Sequence, residues 1–138
     1  MTARRQSQSA VAARQLWDVT LKHAQERVLF GKPLAKMQVT QHKFVDMRIQ
    51  ITAAEEMAYR CIRKMVRGED ATLDISMAKV FCTAVQQHVA DACVQIFGGA
   101  GYCWENPAAR AFVDSRLISI GGGADEVLKQ YVAKMLQI

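Results

Sequence analysis

Apolar residues recur every three or four positions along most of this chain, and that period constrains its fold more than any other feature. The longest run is Phe44, Met47, Ile51, Ala54, Ala58, Ile62 and Met65. Steps of three and four gather these side chains on one face of a helix, whereas a strand would need steps of two. A first helix carries Ala10, Ala13, Trp17, Leu21, Ala24 and Val28 on one face and is expected to run to about Leu29, before Gly31 and Pro33. Gly68 ends the second helix, in the position where a left-handed residue often closes one. The third, with Ile75, Ala78, Phe81, Val85, Val89, Ala92 and Ile96, starts near Asp70 or Thr72, either of which can cap it, and stops at Gly98-Gly99. A short helix from Pro107 to about Ile118 and a last one from about Asp125 to Leu136 complete the set. The expected fold is all-α: an up-down four-helix bundle with a short additional helix. Residues 1–9 are polar and expected to fray, leaving one domain over 10–138.

Composition agrees with helices and narrows the function classes. Only two prolines interrupt 138 residues, and aromatic residues make up 7%. The net charge of +5 is moderate, and no basic run interleaved with aromatics suggests nucleic-acid binding. The four cysteines Cys61, Cys82, Cys93 and Cys103 form no CxxC pair, so neither a disulfide framework nor a metal site is expected. No signal peptide or membrane-spanning apolar run is read, and the expected compartment is cytoplasmic and reducing.

Any chemistry must therefore come from the breaks between helices. In Arg27-Val28-Leu29-Phe30-Gly31-Lys32-Pro33-Leu34, the arginine either offsets a helix dipole or grips a phosphate through its planar fork. In Gln95-Ile96-Phe97-Gly98-Gly99-Ala100-Gly101-Tyr102, the glycines make either a tight turn or bare backbone that a ligand can approach, beside the amide of Gln95. The Gly121–Gly123 triplet opens a helix, as an anion site can, but it is neither a Walker A loop nor GxGxxG.

Taken in order, these segments resemble one family. RxxFGxPL at 27–34, Met37-Gln38-Val39-Thr40-Gln41-His42, Ser76-Met77-Ala78-Lys79, QIFGGxGY at 95–102, ExPxxR at 105–110 and Asp114-Ser115-Arg116 match the pattern of the acyl-CoA dehydrogenases, in their C-terminal helical domain. The resemblance implies an FAD enzyme that removes the α-proton of an acyl-CoA thioester with a carboxylate while a hydride leaves the β-carbon for the flavin. It implies assembly through the bundles as a homo-oligomer or heteromer, with FAD lying across a subunit boundary. An electron-transfer flavoprotein or another acceptor would receive the electrons. Carried over by position, Arg27 would meet the FAD pyrophosphate of the neighbouring subunit and Phe30 would pack on the cofactor. Gln38 would approach the adenosine half, and Gln95, Gly98 and Gly99 would line the adenine and pyrophosphate segment.

The last break departs from the family pattern. Many members place a catalytic Glu within an IYEGT-like segment, and the alignment here reads Ile120-Gly121-Gly122-Gly123-Ala124. Gly122 holds the position of the base and cannot accept a proton. Ala124 replaces a threonine that usually meets FAD, while Glu126 sits where Gln or Glu is seen and can bind polar cofactor atoms. One branch of the family carries its base on the first helix, a position that falls near Met1 here. No catalytic residue is assigned. The expected function is the FAD-contacting and oligomerisation domain of an acyl-CoA dehydrogenase-like flavoprotein, not catalytically competent as an isolated chain. The alternatives are a non-catalytic assembly subunit of a heteromeric dehydrogenase and a plain helical interaction module.

Overall fold

The structure is a computed structural model that describes residues 4–138. Helix α1 (Arg4–Glu26) leads into a hairpin of β1 (Val28–Leu29) and β2 (Lys32–Pro33), followed by a 3-10 turn at Leu34–Lys36. Then come α2 (Gln38–Val66), α3 (Thr72–Phe97), the single turn α4 (Gly99–Tyr102), α5 (Pro107–Ile118) and α6 (Asp125–Leu136). The fold is all-α, as the period requires. Met1, the position aligned with the alternative base, lies outside the described residues. Helix α1 is already formed at Arg4, and Ser9 is buried on it.

Helix α3 is the centre of the molecule and packs against α1, α2, α5 and α6. Its packed sides carry Ala78, Cys82, Val85, Val89, Ala90 and Cys93, all buried, while His88, Asp91 and Gln95 lie on its exposed side. Its cysteines are small and lie against neighbouring backbone: the Cys82 thiol donates to the carbonyl of Ala54 on α2 at 3.5 Å. Burial holds both Cys82 and Cys93 as thiols, with pKa values pushed up to about 12 and about 11.

The seam of α2 runs Phe44, Met47, Ile51, Ala54, Ala58 and Cys61, all buried. The period thus ends on Cys61 rather than on the expected Ile62 and Met65, which are exposed. Alternating steps of three and four hold the stripe toward its neighbour, and the second consecutive step of four walks off that stripe. Helix α1 likewise stops at Glu26, short of Leu29. Its last buried apolar residue is Ala24, and Val28 belongs to the hairpin.

Side chains finish the ends. The carboxylate of Asp70 accepts from the Thr72 amide at 2.9 Å and hydroxyl at 2.6 Å, which fixes the turn into α3, whose N-cap is Ala71 rather than Asp70 or Thr72. Asp74 then accepts from Arg60 Nε at 2.7 Å and Lys64 Nζ at 2.5 Å, tying the start of α3 to the end of α2. The Lys64 bond, with Arg60 beside it, holds the Asp74 carboxyl below the usual carboxylate range. Asn106 caps α5 by accepting from the Ala108 amide, with Pro107 in the first turn. No described helix is long and apolar enough to cross a membrane.

Candidate functional site

The residues after α1 reverse the chain in a two-residue hairpin, Val28 pairing with Pro33 and Leu29 with Lys32. Its turn residues Phe30 and Gly31 both have positive φ, 51° and 76°, the twist such hairpins favour. Glycine adopts that conformation freely, but a bulky side chain there is strained. Phe30 nevertheless stands 94% exposed at the tip. The Leu34 amide donates to the Arg27 carbonyl at 2.9 Å and closes the hairpin's base against the end of α1.

Behind that base lies a cavity of about 460 Å³, where α1, α2 and α3 converge. Helix α1 contributes His23, and Arg27 follows just past its end. The first turns of α2 contribute Thr40 and Lys43, and the end of α3 contributes Gln95 and Phe97. Gly98, Gly99 and Ala100 continue its rim, and Leu29, Leu34 and Ile96 add apolar wall. Arg27 and Lys43 are its full charges, no carboxylate lines it, and neither cation is ion-paired among the described residues. A cavity so lined attracts an anion. Gly98 has φ 65°, and a Cβ added at Gly98 or Gly99 would meet nothing within 4 Å. Bare backbone therefore borders the cavity on one side. The His23 ring stacks on Phe97 with centroids 4.3 Å apart and planes 30° from parallel. Burial, then the charge of Arg27, lowers the His23 pKa against an opposing pull from Glu26.

The structure thus brings four of the sequence-read site residues together: Arg27, Gln95, Gly98 and Gly99. Phe30 projects from the adjoining hairpin, and Gln38, exposed at the first residue of α2, does not line the cavity. His23, Thr40 and Lys43 join the site without having been singled out. Their signal was only spacing: His23 precedes Arg27 by one helical turn, and Thr40 and Lys43 are three apart.

Ala124 and Glu126 belong to a different place. They sit at the start of α6, which Lys79 secures. Its side chain is 1% exposed and its ammonium donates to the Ser119 carbonyl at 3.0 Å, the Gly123 carbonyl at 2.8 Å and Asp125 Oδ1 at 2.7 Å. Asp125 is therefore committed to Lys79, while Glu126 is exposed. Lys79 precedes Gln95 by four to five turns of the same helix, about 24 Å along its axis. Within one chain the two groups of site residues are separate.

A family profile described as "Acyl-CoA dehydrogenase, C-terminal domain" matches residues 3–137. The long-chain specific acyl-CoA dehydrogenase of Rattus norvegicus mitochondria is 33% identical over 121 residues, which are 88% of this chain and 28% of that protein. The solved structure of butyryl-CoA dehydrogenase from Megasphaera elsdenii superposes with a TM-score of 0.95 at 33% identity, covering 99% of this chain and 36% of that one. A structure described as the FAD complex of PigA superposes at 0.88 with 26% identity, over 94% of this chain and 34% of its own. The chain spans about a third of the length of these proteins.

Proposed function

Because this chain belongs to the acyl-CoA dehydrogenase family, as its C-terminal domain, we propose that it forms the FAD-contacting and oligomerisation part of an acyl-CoA dehydrogenase-like flavoprotein. One observation carries the reading: the cavity at the converging ends of α1, α2 and α3 is cationic, lacks carboxylates and is bordered by bare glycine backbone. That donor set fits a dinucleotide diphosphate. Arg27 offers a planar fork to two phosphate oxygens, Lys43 a point charge, and Gln95 an amide that can both give and accept. FAD, when bound, supplies the hydride acceptor for oxidation of an acyl-CoA thioester. What this chain does is bind its diphosphate and adenosine, with Gln38 approaching the adenosine half and Phe30 packing against the cofactor from the hairpin tip.

Ala124 and Glu126 form a second contact region, directed at a different FAD than the cavity. Their distance from Gln95 supports a cofactor placed across a subunit boundary, each domain serving its own and a neighbour's. The chain assembles as an oligomer through its exposed apolar helix faces. The complete enzyme takes acyl-CoA and passes electrons to an electron-transfer flavoprotein or another carrier. We place it in a reducing compartment such as the cytoplasm, which suits its free thiols.

The isolated 138-residue chain holds FAD weakly and does not oxidise acyl-CoA. Gly122 stands where many relatives place the base, and general-base catalysis needs such a group within hydrogen-bond reach of the substrate. After gel filtration the protein should carry no stoichiometric flavin. Titrated with FAD, its Gly98 and Gly99 amides should shift in NMR spectra, and Arg27→Ala should weaken binding at least tenfold, the loss expected for a charge-assisted contact. Retained stoichiometric FAD would contradict the first expectation. An unchanged affinity in Arg27→Ala would contradict the assignment of the cavity.

A further inference from the structure

We propose that His23 is a proton-linked contact for the diphosphate, its imidazolium joining Arg27 and Lys43 as a third positive charge when the anion enters. The inference rests on the reading of the cavity as a dinucleotide site. His23 lies one helical turn before Arg27, so both side chains reach the same side of α1. Its ring is held flat against Phe97, 4.3 Å between centroids, which fixes its place in the cavity wall.

The groups around His23 decide its charge. Arg27 from the end of α1 and Lys43 from α2 are positive, and Glu26 is the acid that acts on it. Helix α3 presents only the neutral Gln95, Ile96 and Phe97, while the hairpin contributes Leu29 and the 3-10 turn Leu34. With the cavity free of anion, burial and Arg27 disfavour the imidazolium. A doubly charged diphosphate reverses that balance, because opposite charge close by favours the protonated ring. Binding therefore takes up a proton. Affinity rises as pH falls through the range bounded by the His23 pKa in the complex and in the free protein, and levels off below it. A rise of one pKa unit on binding corresponds to a tenfold gain in affinity across that range.

FAD suits the test because its diphosphate is a diester that keeps both charges between about pH 5 and 8, so the ligand contributes no titration of its own there. The imidazole signals of the 138-residue chain are followed by NMR against pH, with and without saturating FAD. His88, in the groove between α3 and α5, provides an internal reference outside the cavity. The His23 midpoint should move up by about one unit, and FAD should bind about tenfold tighter at the acid end than at the alkaline end. His23→Gln should lose the tightening, so that its FAD affinity no longer rises as pH falls through this range. If Gly98 and Gly99 amides shift with FAD while the His23 midpoint does not move, or if His23→Gln tightens as the parent does, the proton link is wrong and the cavity assignment stands. If FAD moves none of these signals, both fail. The titration of the unmodified chain decides the matter alone should His23→Gln not fold.

Discussion

An ammonium removed from water needs several oxygens to compensate its lost hydration, and Lys79 finds three. Two are main-chain carbonyls of the α5–α6 break and one is the carboxylate of Asp125, so a single side chain pins the break to the middle of the bundle. Removing the charge without changing the volume much leaves those acceptors unpaired inside the fold. Lys79→Met should cost about 3 kcal/mol in urea denaturation, and Asp125→Asn in that background should cost less than it does alone. A loss below about 0.5 kcal/mol would mean that solvent replaces the ammonium. The SMAK pattern singled out this lysine, but its partners lie some forty residues further along the chain. No local spacing could name them.

At the scale of elements, the breaks show where periodicity stops being informative. Val28 extends the apolar run of α1 on paper, yet the chain leaves the helix after Glu26 because Gly31 and Pro33 favour a reversal and the last useful burial is Ala24. The glycines of the α3–α4 break, alike in sequence, have different duties. A Cβ on Gly101 would stand 2.6 Å from the Val94 carbonyl oxygen and 2.7 Å from Phe97 Cβ, and neither can retreat without moving the end of α3. Gly99 has open space at the same point and no positive φ. Gly101→Ala should therefore lower stability by about 2 kcal/mol and disturb the Phe97–His23 stack, while Gly99→Ala should stay within about 0.5 kcal/mol of the parent. Thermal unfolding of the two variants side by side separates crowding from a general intolerance of the break.

For the whole molecule, the outer side of α3 and the inner side of α6 leave an apolar groove of about 370 Å³, lined by Met77, Val80, Phe81, Ala84, Val132 and Ala133, with Ile138 at its end. Val127, Tyr131 and Met135 extend exposed apolar surface along α6. Surfaces of this kind mark association sites in soluble proteins. Sedimentation should report a mass above that of one chain, and Phe81→Glu should shift it toward the monomer without changing helix content. A monomer at high concentration would refute the assembly reading.

The sequence by itself determined the helices, their main apolar stripes, the start of α3 near Asp70 and Thr72, Pro107 in the first turn of α5, and the breaks in which a site must lie. These depend on neighbours within a turn or two, which the period of 3.6 fixes. Ordered motifs also identified the family, since those residue types recur in one arrangement. Tertiary structure alone decided that α3 packs against α1, α2, α5 and α6, that the α2 seam ends on Cys61, and that His23, Lys43 and Gln95 face one cavity from three helices. It alone placed Ala124 and Glu126 at a distance from that cavity and gave Lys79 its partners. The physical reason is the same in each case: such contacts join residues distant in the chain, and they follow from how helices pack and where breaks fold back rather than from any local pattern.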